Sequence, residues 1–129
     1  MIYFDTSVLL AHVLTEARRP AEEFWVGPVT SSRLVEYESW SRLHVHGLAA
    51  RLGKILEALL EQTTFLELER PVLARALEPF PVALRTLDAL HLASADFLRS
   101  RDQDVMIATY DRRMATAARA MGFELHPLW

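Results

Sequence analysis

The chain of 129 residues contains no cysteine, and Lys54 is the only lysine among its 14 basic residues. Without cysteine, disulfide bonds and thiolate metal sites are excluded, which favours a reducing cytoplasmic location. No apolar run approaches the ~20 residues of a membrane-spanning helix, so we expect no contact with a membrane. The first residues lack the positive charge of a secretory leader, and we expect none.

Neither sign of charge is in large excess, because the net charge of the chain is only −3. Such a surface does not attract nucleic acid over its whole area. The four glycines form no glycine-rich phosphate loop and no G-x-S-x-G elbow, which argues against those nucleotide-binding and hydrolase classes. The length suits one domain, 1–129, with a single hydrophobic core.

Short apolar runs alternate with helical patterns along the whole chain. The predicted strands are 2–4, 29–30, 64–68, 105–109 and 123–126, and the predicted helices begin near residues 6, 20, 32, 48, 71, 86 and 111. This alternation predicts an α/β fold with a mostly parallel sheet covered on both faces. In such folds the site lies beyond the carboxyl ends of the strands.

Three aspartates occur where such a site is expected. Asp5 and Asp111 follow predicted strands, and Asp88 lies in the first turn of a helix. Each has a structural explanation as a helix cap or a favourable charge at a helix N-terminus. Because parallel strands end at one edge of the sheet, we nevertheless expect these carboxylates to meet there.

Glu36 is the fourth candidate acid. Trp40 and Leu43 follow it at the i+4 and i+7 positions of a predicted helix, so all three share a face. A charged carboxylate on an apolar face is costly unless it is paired or binds a metal. The structural alternative is a glutamate at the edge of that face that reaches water.

Several carboxylates at one edge would repel one another and raise some of their pKa values. A hard divalent cation relieves that repulsion, and oxygen ligands suit Mg²⁺ or Mn²⁺. Carboxylate-held metals with open water positions are typical of phosphodiester hydrolysis. The histidines form no metal-binding pattern. His91 follows Asp88 by three residues and could approach the site, but we expect it to be an ordinary packed histidine.

The sequence resembles the PIN-domain ribonucleases, and most closely the VapC toxins of toxin–antitoxin pairs. The matching segments span the chain in order: 2–10 (IYFDTSVLL), 32–36 (SRLVE), 85–95 (RTLDALHLASA) and 108–114 (ATYDRRM). The resemblance implies a three-layer α/β/α PIN-like fold with a central sheet of four to five strands. It also implies that the family's acidic quartet corresponds to Asp5, Glu36, Asp88 and Asp111, supported by the hydroxyl of Thr109.

Further properties follow from the resemblance alone. It implies an Mg²⁺- or Mn²⁺-dependent endoribonuclease that cuts tRNA or another structured RNA and leaves a 5′-phosphate and a 3′-hydroxyl. It implies a homodimer and a small VapB-type antitoxin that blocks the pocket.

Four arginines near the acids in sequence are candidate phosphate contacts: Arg33, Arg85, Arg112 and Arg113. The alternative for each is an ion pair with a neighbouring acid. A different function is also open, in which the acidic pocket is a non-catalytic module that binds a basic protein partner. A receiver-type signalling domain fits less well, because Lys54 lies on a predicted helix and not at the end of a late strand.

Overall fold

The computed structural model describes residues 1–128; Trp129, the last residue of the expected domain, lies outside the described residues. The elements in chain order are β1 (Ile2–Phe4), α1 (Thr6–Val13), α2 (Glu23–Val26), β2 (Val29–Ser32), α3 (Leu34–Val45), α4 (Ala49–Glu61), β3 (Thr63–Leu66), α5 (Arg70–Ala76), α6 (Thr86–Ser100), β4 (Met106–Ala108), α7 (Arg112–Ala120) and β5 (Glu124–Leu125). None of these helices is both long enough and apolar enough to cross a lipid bilayer.

The strands form one parallel sheet in the order β3-β2-β1-β4-β5. Parallel neighbours require crossover connections, and helices supply each of them. The predicted α/β class with a mostly parallel, five-stranded sheet is confirmed.

Helices cover both faces of this sheet. Adjacent side chains of a strand point to opposite faces, and Tyr3 and Phe4 on β1 therefore enter two different cores. Phe4 packs with residues of α1, α3 and α4. Tyr3 packs with Leu92 of α6 and Met114 of α7. The result is the expected three-layer α/β/α arrangement.

The register of β1 and β4 positions the polar residues that follow these strands. Phe4 pairs with Ala108, so Asp5 and Thr109 are the next residues on adjacent strands. The backbone N–H of Asp5 donates to the carbonyl of Ala108 at 3.3 Å, which extends the pairing to the carboxyl edge.

The element boundaries differ most between α1 and β2. The helix expected from Pro20 is only Glu23–Val26. Helix α1 ends in a turn in which Thr15 has a φ of 52°, with its N–H bonded to the carbonyl of His12. Beyond this turn, Glu16 lines the same pocket as Asp5, and Arg18 lines the pocket next to it.

Candidate active site

A pocket of about 500 Å³ lies beyond the carboxyl ends of the central strands. Asp5, Asp88 and Asp111 all line it, as do Glu38 and His91. Residues from α1, α3 and α6 thus join those that follow β1 and β4. The structure brings together three of the four acids that the sequence singled out.

Asp5 is the most firmly held of these acids. It is only 4% exposed, and it is the N-cap of α1. Its Oδ1 accepts hydrogen bonds from the N–H of Ser7 at 3.1 Å and from the Ser7 hydroxyl at 2.5 Å, and its Oδ2 accepts one from the Thr109 hydroxyl at 2.6 Å. Burial raises the pKa of Asp5 despite these donors, and the charge of Asp111 adds to the rise. The carboxylate is therefore fixed in orientation but lacks a full counter-charge.

Asp111 is also a helix cap. Its Oδ1 accepts hydrogen bonds from the N–H groups of Arg113 and Met114, at 2.8 and 3.1 Å. The hydroxyl of Thr109 accepts one from the N–H of Asp111 at 2.9 Å while donating to Asp5. Capping and a place in the pocket are thus compatible, because each carboxylate has two oxygens.

Asp88 differs from the other two because it is not anchored. Its Oδ2 is buried and has no hydrogen-bond partner among residues 1–128, and the nearest cation is the Nε of Arg85 at 3.8 Å. Burial raises the pKa of Asp88, and the negative charge of Asp111 raises it further. A buried polar atom without a partner is unfavourable in the protein alone and is open to a ligand.

Glu38 and Glu16 also line the pocket, and of these two glutamates Glu38 is held by hydrogen bonds to other lining residues. Its Oε1 accepts hydrogen bonds from the Thr6 hydroxyl at 2.7 Å and from Nε2 of His91 at 2.8 Å. Burial acts to raise the pKa of Glu38, but the hydrogen bonds from His91 and Thr6 outweigh it and lower the pKa. Glu38 is therefore ionised in the pocket.

Glu36 does not line this pocket. Its Oε2 lies 3.4 Å from Arg33, whose Nε also contacts Glu67 at 2.9 Å. Two residues along an α-helix are separated by a rotation of about 200°, so Glu36 and Glu38 point to nearly opposite sides of α3. The expectation that Glu36 joins the three aspartates is not met by this geometry.

The four candidate arginines occupy different places. Arg33 is tied to Glu36 and Glu67, as the ion-pair alternative expected. Arg85 lies at the rim of the acidic pocket with its side chain 72% exposed. Arg112 lines a neighbouring pocket, and Arg113 lines neither of the two. Arg42, which the sequence did not single out, also lines the acidic pocket.

The donor set of the pocket suits a hard divalent cation, because it consists of carboxylate oxygens with unbalanced charge. The unpartnered Oδ2 of Asp88 and the raised pKa values of Asp5 and Asp88 support this fit. Within residues 1–128, however, no three acidic, histidine or cysteine side chains stand together as a closed ligand set.

Comparison with known families identifies the fold. A model of the PIN domain family matches residues 2–120. The chain belongs to this family. Curated relatives that are named VapC ribonucleases confirm the resemblance to VapC-type members of the PIN domain family.

These relatives are proteins of Mycobacterium tuberculosis. The PIN domain described here is 30% identical to ribonuclease VapC47, with 95% of this chain and 93% of that protein aligned. It is 34% identical to ribonuclease VapC46, covering 94% of this chain and 92% of that protein. The crystal structure of VapC20, described as a sarcin–ricin loop cleaving toxin, has a TM-score of 0.68 at 19% identity and covers 98% of this chain and 100% of that one. That likeness shows the fold.

The sequence of this PIN domain does not single out Glu38, and it favours His91 as an ordinary packed histidine, yet both line the acidic pocket. The apolar face of α3 was assigned from Trp40 and Leu43, whereas its fully buried positions include Val35 and Ser39. Glu38 follows Val35 by three positions, but Glu36 likewise precedes Ser39 by three, so helical spacing alone does not separate the two glutamates. Only the packing of α3 in the folded chain selects Glu38.

Proposed function

We propose that this protein is a metal-dependent endoribonuclease, the toxin of a VapBC-type pair, which hydrolyses phosphodiester bonds in RNA. The observation that carries the proposal is the convergence of Asp5, Glu38, Asp88 and Asp111 on one pocket of a PIN domain. The curated relatives named ribonucleases support the reaction class. A tRNA or another structured RNA is the proposed substrate.

In this proposal Mg²⁺ or Mn²⁺ binds to the pocket carboxylates. When bound, the cation lowers the pKa of a water molecule, orients the phosphate and stabilises the leaving oxygen. Asp88 offers the unpartnered Oδ2, and Asp5 is held ready by Ser7 and Thr109. In this proposal Thr109 supports the site, because its hydroxyl donates to Asp5 and accepts from the N–H of Asp111. Glu38 replaces Glu36 as the fourth proposed acid.

The proposed partners follow from the same family membership. They are a VapB-type antitoxin and a second copy of this chain, in the cytoplasm. Exposed leucines support a protein contact, since Leu77 is 90% and Leu73 42% exposed and both line an apolar cavity of about 660 Å³. Sedimentation of the purified protein, alone and with its antitoxin, tests both assemblies.

The decisive experiment is a metal titration of RNA cleavage by the purified protein, with Asp88→Asn as the inactive comparison. Cleavage should require Mg²⁺ or Mn²⁺ and should be lost in Asp88→Asn, while circular dichroism shows the fold intact. Equal cleavage by Asp88→Asn would contradict the proposed site. No cleavage of any RNA at any metal concentration would favour a non-catalytic pocket that binds a basic partner.

A further inference from the structure

A second pocket of about 490 Å³ adjoins the acidic one and has the opposite charge. Arg18, Arg112 and Arg119 line it, and among residues 1–128 Asp111 is the only acid in its lining. We call it the arginine pocket. The net charge of the whole chain is −3, so this local excess of positive charge runs against the composition of the protein.

Within residues 1–128, no acidic side chain holds these three arginines. Arg18, Arg112 and Arg119 form no ion pair within 4 Å in residues 1–128, whereas Arg33, Arg75 and Arg99 are all paired with acids. Each of the three is exposed. Their guanidinium donors are therefore available to a ligand, and a planar guanidinium suits phosphate oxygens.

The two pockets share a wall made of Tyr110 and Asp111. The guanidinium of Arg18 lies 5.3 Å from the centre of the Tyr110 ring, which places a cation at this boundary. The Tyr110 hydroxyl is buried without a hydrogen-bond partner in the described chain, so it too can serve a ligand at the boundary. A ligand that occupies both pockets passes directly over this wall.

We infer that the arginine pocket is the subsite for the phosphate backbone of the RNA strand next to the bond that is cut. The inference rests on the proposed function and names how that substrate is held. A polyanionic strand with one phosphate at the acids must place neighbouring phosphates beside them, and the arginines lie there. An acidic protein segment would also match the arginines, but only a nucleic-acid strand carries in addition the phosphodiester on which the proposed acidic site acts.

Binding measurements in the Asp88→Asn background test the subsite without substrate loss. The probe is a fluorescein-labelled, unstructured oligoribonucleotide, and anisotropy is recorded at increasing KCl concentration. Each phosphate contact with a single strand contributes about 0.7 to the slope of log K against log salt. Arg112→Gln/Arg119→Gln should reduce that slope by about 1.4 in total. The matched control is Arg51→Gln/Arg70→Gln, which removes two exposed arginines outside both pockets and should keep the full slope.

Cleavage kinetics give the second readout, with the acids intact. Arg112→Gln/Arg119→Gln should raise KM with little change in kcat, because the lost contacts bind ground state and transition state alike.

A slope and KM equal to those of the control would overturn the subsite. Unchanged RNA binding together with lost binding of poly-L-glutamate would overturn it in favour of an acidic protein partner. If the slope of log K against log salt depends on these arginines but the protein cleaves no RNA, the nuclease proposal is wrong and phosphate binding by the arginine pocket stands.

Discussion

The hydroxyl of Tyr3 lies 2.8 Å from Nδ1 of His91, although the two residues are 88 positions apart in the chain. Nε2 of the same imidazole lies 2.8 Å from the carboxylate of Glu38. A carboxylate only accepts, so Nε2 carries a proton, and in the neutral ring Nδ1 then accepts from Tyr3. Burial raises the pKa of Tyr3, which keeps its hydroxyl protonated. A buried strand residue thereby sets the orientation of a carboxylate in the acidic pocket.

Tyr3→Phe should destabilise the protein by about 1–3 kcal/mol, because it leaves a buried imidazole nitrogen without a partner. It should also lower RNA cleavage, since Glu38 loses its fixed support. Tyr110→Phe is the control for stability, because its hydroxyl has no partner in residues 1–128. Urea unfolding of both variants provides the comparison. Equal stabilities would mean that the Tyr3–His91 bond contributes nothing.

Glu38→Gln should abolish or strongly reduce RNA cleavage, whereas Glu36→Gln should retain it. The two residues lie on the same helix, but only Glu38 lines the acidic pocket. Initial rates at saturating Mn²⁺ measure the difference. Loss of cleavage in Glu36→Gln with normal activity in Glu38→Gln would restore the assignment made from sequence.

Asp88→Asn should melt at the same or a higher temperature than the wild type in EDTA at neutral pH. Burial and Asp111 raise the pKa of Asp88, so the ionised form costs stability. That cost is absent below the ordinary aspartate pKa and grows as the pH rises through the raised value. The difference between the proteins should therefore shrink at low pH.

With Mn²⁺ added, the wild type should melt at a higher temperature than Asp88→Asn, because a cation that binds the native state stabilises the wild type more than the variant. Differential scanning fluorimetry at several Mn²⁺ concentrations records the effect. A wild-type melting curve that does not move at millimolar Mn²⁺ argues against metal binding in the folded protein.

Asp96→Asn should destabilise the protein at neutral pH and lose that effect in acid. Burial acts to raise the pKa of Asp96, but contacts with Arg75 at 2.6 Å and Arg99 at 2.8 Å lower it. The stabilisation is therefore present above the ordinary aspartate pKa and is lost as the pH falls through the lowered value. Thermal melts of both proteins from pH 7 to pH 2 should converge at the acid end. A constant difference would show that the carboxylate charge is not responsible.

Thr15→Gly should stabilise the protein by about 1 kcal/mol, because a left-handed backbone is costly for a residue with a Cβ. Thr15 has a φ of 52° and is β-branched, which adds to the strain. Gly122→Ala is the converse experiment. Gly122 has a φ of 85°, so the alanine should lower the free energy of unfolding by a similar amount. Chemical denaturation of both variants measures the two effects. Destabilisation by Thr15→Gly would mean that the threonine side chain outweighs the strain.

The periodicity of the sequence was sufficient to predict the parallel sheet and most helices. Val105 to Thr109 and the residues after Asp111 follow local rules for a buried strand and a capped helix, and the structure agrees. The three aspartates were found for the same reason, because strand ends and helix starts are local signals. Topology then brings such positions to one edge of a parallel sheet.

Glu38 needed more than local signals, because the choice between Glu36 and Glu38 is a rotation of α3 about its own axis. That rotation is set by what α3 packs against, and the fully buried Ser39 gave no hydrophobic signal.

The sequence by itself determined the alternation of strands and helices, the acids at the strand ends and the family. The tertiary structure decided which glutamate enters the pocket and that His91 joins Tyr3 to Glu38. It also placed arginines that have no ion pair within residues 1–128 beside the acids. The physical reason is that local backbone preferences are encoded within a few neighbouring residues, whereas side-chain neighbours depend on packing between distant segments.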